Sequence, residues 1–400
     1  MHTAPHPAAR LREVFTAFLV LGLSAFGGPV AHLGYFRNEF VQRRRWLSES
    51  AYADLVALCQ FLPGPASSQV GFALGLMRAG PWGALAAWTA FTLPSAITLL
   101  LFALGASLAD GPASQAVIHG LKVTAVAVVA HAVWSMARSL CPDLPRVVIA
   151  LTGALLVSLL GGPLAQVSAI AAGALAGAIV CRPQTAPTTH DLPFEVSPRA
   201  GVCAAVLFLL GLFGLPLLAW TVPSGVSLTS DAFYRAGALV FGGGHVVLPL
   251  LEAEVVQPGW VTADAFLAGY GAAQAVPGPL FTFAAYLGAV MQPLGGMAGA
   301  ALALCMIFLP GMLLLLAVLP WWNRFRRWQP AHALMRGANA AVVGILAATL
   351  YDPVWTGTIL GPTDMLLAVA GLLMLVVWKT PAWWVVIALA GGNLLLSWFQ

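Results

Sequence analysis

The sequence has few charged residues. Only 8% of its 400 residues are Asp, Glu, Lys or Arg, whereas 60% are hydrophobic, and apolar runs of membrane length occur in both halves. This composition excludes an ordinary soluble globular domain. The net charge of +4 comes almost entirely from arginines in short loops. The positions of these basic residues therefore indicate membrane topology. We expect the protein to interact with the lipid bilayer and not with nucleic acid.

Cysteine and catalytic motifs are also scarce. The five cysteines are scattered without a Cys-x-x-Cys pair, which argues against a metal site and a disulfide framework. The eight histidines have no metal-binding spacing, and we find no nucleophile elbow, Walker A loop or paired carboxylates. The sequence therefore predicts neither an enzyme nor a cofactor.

Glycine and proline, in contrast, are abundant, with 41 and 28 residues. Many helices must therefore be interrupted. Lipid tolerates such interruptions only where protein or a water-filled cavity receives the freed backbone groups. This combination predicts a pathway for a solute.

The interruptions follow an internal repeat with an offset of about 215 residues. Each copy has a Phe-Gly-Gly break, a tryptophan followed two residues later by a hydroxyl residue, and a Gln-x-x-Pro-Gly-Pro break. These are Phe26–Pro29, Trp46–Ser48 and Gln60–Pro65 in the first copy, and Phe241–His245, Trp260–Thr262 and Gln274–Pro279 in the second. Internal duplication with broken helices is typical of secondary transporters. We expect an all-α polytopic membrane protein.

The chain divides into three parts. Residues 1–181 form the first repeat and residues 230–400 the second. Between them, residues 182–229 hold a Pro-rich linker and an extra apolar segment, Gly201 to Val222, which has no counterpart in the first half. We expect this segment to be an extra transmembrane helix joining the repeats.

Charge placement predicts the orientation. With the N-terminus in the cytoplasm, most basic residues, including Arg138 and Lys379, lie at cytoplasmic ends. The loop with Arg43, Arg44 and Arg45 is cytoplasmic only if the first broken segment turns back as a re-entrant hairpin. With hairpins in both halves the second repeat is inverted relative to the first. The alternative is that every broken segment spans the membrane.

The breaks are the predicted substrate site. A glycine pair leaves amide N–H groups without partners, and the helix that follows contributes about half a positive charge at its N-terminus, which suits an anion. The alternative is that Gly and Pro merely kink packed helices. The residues concerned are Gly27, Gly28, Pro29, Pro63, Gly64, Pro65, Gly242, Gly243, Gly244, Pro277, Gly278 and Pro279.

Polar side chains beside the breaks are further candidates. Gln60 and Gln274 precede the two Pro-Gly-Pro motifs, and Ser67, Ser68 and Thr282 follow them. They could donate hydrogen bonds to an oxyanion, although helix capping and interhelical hydrogen bonds explain them almost equally well.

Three further residues have two interpretations each. Burying the charge of Lys122 in an apolar segment costs up to ~3 kcal/mol, so this residue is either functional or snorkelling to the interface. Asn339 matches Lys122 in the second half. His245 either binds or titrates, or caps a helix. Asp264, at the position matching Asp54, either relays protons or begins a helix near the interface.

Taken together, the Phe-Gly-Gly-Pro, Trp-Leu-Ser, Gln-x-x-Pro-Gly-Pro and Gly120-Leu121-Lys122 motifs resemble the chromate ion transporter family in its long, two-domain bacterial form. The second half departs from the pattern with Gly244-His245 in place of Pro29-Val30. The resemblance implies export of chromate from the cytoplasm across the bacterial inner membrane, giving chromate resistance.

Moving a dianion out of a cell with an inside-negative potential gains about 4.6 kcal/mol per 100 mV, from ~2.3 for each charge. The membrane potential or ion coupling could therefore drive export. The alternatives are uptake or exchange of sulfate or another tetrahedral dianion, an anion channel, or a non-transporting membrane scaffold. The oligomeric state is left open, with a homodimer among the alternatives.

Overall fold

The computed structural model describes residues 7–106, 111–181, 196–325 and 328–398. Within these ranges all regular secondary structure is helical, and six helices are long and apolar enough to cross a membrane. The prediction of an all-α polytopic membrane protein is confirmed. Most of the predicted Pro-rich linker, residues 182–195, lies outside the described part of the chain.

The described residues form eighteen α-helices, some of them joined by short π or 3₁₀ turns. The first seven are α1 (Pro7–Ser24), α2 (Gly28–Phe36), α3 (Glu49–Phe61), α4 (Ala66–Ala106), α5 (Pro112–Leu140), α6 (Leu144–Leu160) and α7 (Gly162–Val180). Next come α8 (Pro198–Leu209) and α9 (Leu215–Thr221). The last nine are α10 (Gly225–Ala238), α11 (Val247–Leu251), α12 (Ala263–Ala273), α13 (Phe283–Val290), α14 (Gly296–Val318), α15 (Trp322–Phe325), α16 (Gln329–Thr349), α17 (Pro362–Val376) and α18 (Ala382–Leu396).

Two long apolar stretches are not single regular helices. The 41-residue α4 is kinked at Ala79 and Gly80, which have non-helical backbone angles, so it is two helices end to end. Helices α8 and α9 form one candidate span, Pro198–Thr221, and only 11% of its most apolar window is buried. Because the rest of the protein covers so little of it, this span presents most of its surface to lipid.

Glycines with positive φ interrupt the helices at the motifs. Helix α1 ends at Ser24 and α2 begins at Gly28, with φ of 104° at Gly27 and 76° at Gly28. The Pro-Gly-Pro glycines, Gly64 and Gly278, have φ of 117° and 103°. Glycine adopts these left-handed angles without the steric penalty that other residues incur. The flanking prolines supply no N–H to continue a helix.

The four breaks meet through two reciprocal hydrogen bonds. The N–H of Gly64 donates to the carbonyl of Val240 at 2.8 Å, and the N–H of Gly278 donates to the carbonyl of Ala25 at 2.9 Å. Ala25 and Val240 each precede a Phe-Gly-Gly motif. Each Pro-Gly-Pro break is therefore bound to the Gly-Gly break of the other half.

Contacts between matched residues extend this reciprocity. A Cβ atom on Gly244 would lie 3.1 Å from Cγ of Pro29, the residue that matches Gly244 in the repeat. Two equivalent residues touch each other where an approximate two-fold axis passes between them. No bilayer is present, so the inversion of the second repeat across a membrane stays a prediction.

The two halves interlock beyond the breaks. Helix α5 packs against α17 and α18, and α16 packs against α6 and α7. Gly120 of α5 lies against the backbone of Leu389 and Ala390, whereas Gly337 of α16 lies against Gly173 and Gly177. Small residues let membrane helices approach closely, so these crossings hold the halves together.

We expect Gly278→Ala to destabilise the protein more than Gly80→Ala. Both glycines have positive φ, and Gly80, with ψ of −159°, lies in a region that is essentially restricted to glycine, so each alanine costs about 1–3 kcal/mol of strain. A Cβ at Gly278 would also lie 2.8 Å from Oγ of Ser95, whereas nothing lies within 4 Å of one at Gly80. The measurement is the thermal unfolding midpoint in detergent. Equal midpoint losses would contradict the crowding at the crossing.

Candidate functional site

A cavity of about 640 Å³ lies where one pair of crossing breaks meets. Its walls come from the first Gly-Gly break, the second Pro-Gly-Pro break, the second half of α5 and the connection from α17 to α18. The lining includes Gly27, Gly28, Pro29, Val128, His131, Trp134, Ser135, Arg138, His245, Gln274, Val276, Gly278, Leu280, Lys379 and Thr380.

Backbone amides form one wall of this cavity. Helix α2 begins there at Gly28, and no side chain caps its N-terminus. The N–H groups of Gly27 and Gly28 have no hydrogen-bond partner among the described residues. Free amides at a helix N-terminus, with its partial positive charge, attract anions.

Two basic residues also line the cavity. Arg138 lies in the last turn of α5, with its guanidinium 5.7 Å from the centre of the Trp134 ring, and Lys379 lies between α17 and α18. Neither makes an ion pair within the described ranges. No Asp or Glu is among the described lining residues. The cavity is therefore electropositive.

Two polar residues predicted from the repeat also line the cavity. His245 lies with Nδ1 2.8 Å from the hydroxyl of Tyr270, which is fully buried. Gln274 lies beside the second Pro-Gly-Pro break. The structure thus brings these two side chains together with Gly27, Gly28 and Gly278.

Other predicted candidates lie elsewhere. Gln60 is exposed on α3, away from the cavity. Ser67 and Ser68 are buried, with Ser67 Oγ 3.4 Å from Nδ1 of His32. Thr282 donates its hydroxyl to the carbonyl of Pro279.

The remaining break residues belong to the other crossing. Gly242 lies against Leu140 and the side-chain oxygen of Asn339, and Gly64 lies against Gly311. Neither these residues nor the other glycines and prolines of that crossing line the cavity; they are Pro63, Pro65, Gly243 and Gly244. Pro277 and Pro279, which flank Gly278, are likewise outside the described lining.

Lys122 makes an ion pair. Its Nζ donates to Oδ1 of Asp264 at 2.7 Å, and its side chain is 10% exposed against 72% for Asp264. Nearby on the same helix, Nε2 of His119 lies 2.8 Å from Oδ1 of Asp364. Both contacts join α5 to the second half, and Lys122 and His119 lie about 24 Å and about 28 Å along α5 from Arg138. Lys122 does not line the cavity.

Sequence reasoning missed Arg138, Lys379 and His131 as site residues. The first two were interpreted only as markers of a cytoplasmic end. Their sequence signal is positive charge in a chain with few charged residues, but most other arginines share that signal. Only the structure distinguishes them, because Arg138 and Lys379 line the cavity, whereas Arg37, Arg78 and Arg146 form ion pairs away from it.

The family model for the chromate transporter matches the chain twice, at residues 12–180 and at residues 228–394. Together these matches cover most of the chain. It belongs to the chromate transporter family. The two matched segments bracket α8 and α9, and each contains one Gly-Gly break and one Pro-Gly-Pro break.

Curated members of the chromate transporter family are similar over most of their length. A chromate transport protein of Pseudomonas aeruginosa is 30% identical over 96% of this chain and 92% of its own. A probable chromate transport protein of Synechococcus elongatus is 27% identical over 86% of this chain and 85% of its own. One from Cupriavidus metallidurans is also 27% identical, over 88% and 84%. No solved structure matches the chain.

We expect Asp264→Asn to destabilise the protein by about 1–3 kcal/mol, because it leaves the largely buried Lys122 ammonium without its anion. Lys122→Met should cost less, since the remaining carboxylate is solvated. The double variant should match Lys122→Met. Unfolding midpoints of the three variants test this, and additive losses would show that the pair does not act as a unit.

Proposed function

We propose that the protein exports chromate from the cytoplasm across the bacterial inner membrane and so confers chromate resistance. The observation that carries this proposal is the cavity at the crossing of the helix breaks. Its lining combines free amides at a helix N-terminus with Arg138 and Lys379, without a carboxylate among the described lining residues. A tetrahedral dianion matches this lining in charge and in hydrogen-bonding capacity.

The placement of charge supports the direction of transport. Under the positive-inside rule, the ends that carry Arg138 and Lys379 face the cytoplasm. The cavity then receives its substrate from the cytoplasm. The pairs Lys122–Asp264 and His119–Asp364 close α5 against the second half at the other end of the helix. In this proposal, the two inverted repeats rock about the crossing, and these pairs separate when the site opens outward.

The membrane potential supplies the driving force. An inside-negative potential expels a dianion with about 4.6 kcal/mol per 100 mV if no other charge moves with it. The predicted site residues contact the substrate in different states in this proposal. In the cytoplasm-facing state the contacts come from Gly27, Gly28, Gln274 and His245. The glycines and prolines of the other crossing contact the substrate only after the repeats have rearranged.

Sulfate is the second candidate substrate. Amide N–H groups and basic side chains recognise charge and shape, and the cavity shows no group that would select the central atom of the oxyanion. We therefore expect sulfate to compete with chromate.

Inverted membrane vesicles test export directly. Chromate uptake should rise when the vesicle interior is made positive, and Arg138→Gln or Lys379→Gln should each reduce the initial rate about tenfold, as for a lost contact of ~1.4 kcal/mol. The matched control is Arg146→Gln, because Arg146 lies just beyond the same end of α5 but is paired with Asp143. Absence of uptake, or unchanged uptake in the Arg138→Gln, Lys379→Gln double variant, would contradict the proposal.

A further inference from the structure

Two histidines from different halves line the same cavity. His131 lies on α5, between the Arg138 end and the paired Lys122, and His245 lies in the 3₁₀ turn Gly244–Val246, which follows the second Gly-Gly break and precedes α11. Because both residues line one cavity, a single bound molecule can contact both. The export mechanism proposed above gives no role to the protonation of either histidine.

The surroundings of His245 permit both of its protonation states. The Tyr270 hydroxyl beside Nδ1 donates to a neutral imidazole and accepts from a protonated one. Taking up a proton therefore costs His245 no hydrogen bond. His131 has no hydrogen-bond partner within the described ranges, which leaves its ring free to meet a bound molecule.

No protein carboxylate holds a proton on this pair. The charged groups that face the cavity are Arg138 on the same helix as His131 and Lys379 between α17 and α18. The nearby acids on the packed helices, Asp264 on α12 and Asp364 on α17, are bound by Lys122 and His119 at the far end of α5. Before an anion binds, the two charged side chains among the described lining residues, Arg138 and Lys379, thus repel a proton.

A bound dianion reverses this balance, because it places two negative charges among the imidazoles and the basic side chains. We propose that His131 and His245 form a proton-accepting pair. The imidazoles take up one proton when the oxyanion binds, so that one proton accompanies each anion. This inference rests on the proposed function. The site then favours dianions over monoanions, which attract a proton less strongly.

Proton uptake changes the charge that crosses the membrane. A dianion accompanied by one proton carries one net charge, so the potential acts on about half the charge of the bare anion. Because binding and protonation are linked, chromate should bind more weakly as the pH rises.

Calorimetric titration of the purified full-length protein with chromate tests this. Mildly alkaline buffers are used, in which chromate is a dianion, and two buffers of different ionisation heat report the protons taken up. We expect about one proton per bound chromate in the unmodified protein. Uptake should fall to less than half in His131→Gln and in His245→Gln.

The matched control is His332→Gln. His332 lies on α16, outside the cavity, with its ring centre 5.2 Å from that of Phe61, and it has no part in the proposed transport cycle. This variant should take up as many protons as the unmodified protein. Chromate binding without proton uptake, or uptake that persists in both cavity variants, would overturn the inference and leave chromate export standing. Absence of chromate binding to the unmodified protein would instead refute the proposed site itself.

Discussion

Two backbone hydrogen bonds, from Gly64 to Val240 and from Gly278 to Ala25, hold the interrupted helices of the two halves against one another. A broken helix in lipid leaves polar backbone groups whose burial without partners costs several kcal/mol each. Here each half satisfies a break in the other. The cavity depends on this exchange, because the same crossing holds Gly27, Gly28 and Gly278 in the lining that they share with Arg138 and Lys379.

The two crossings are similar in backbone and different in chemistry. The carbonyl of Ala25 accepts a second hydrogen bond, from Nε2 of the buried His32 at 3.1 Å. The matched residue in the second half is Val247, which can donate nothing from its side chain. The Ala25–Gly278 crossing lines the cavity, whereas of the other crossing only His245 is among the described lining residues. The repeat thus duplicates the backbone arrangement of the crossings. Differences in side chains between the halves give the Ala25–Gly278 crossing both the additional hydrogen-bond donor, His32, and the adjoining cavity.

The helical class and the positions of the breaks could be predicted because glycine, proline and hydrophobic runs act locally. Gln274 and His245 could be identified from the repeat because they adjoin those breaks. Gln60 matches Gln274 in sequence yet is exposed, since the repeat does not specify how each helix is rotated toward its neighbours. The partner of Lys122 was equally unpredictable. Asp264 is 142 residues away in sequence, and only tertiary packing brings the two together.

The interlocking of α5 with α18, and of α16 with α7, has a consequence for biosynthesis. The close-packing surfaces at Gly120, Gly173 and Gly177 are made long before Gly337 and Ala390 leave the ribosome. Until then, the helices of the first half lie in the bilayer with their tightest contact surfaces covered by lipid. Final compaction must therefore await the synthesis of α18, and a nascent protein without α18 leaves Gly120 of α5 without its packing partner.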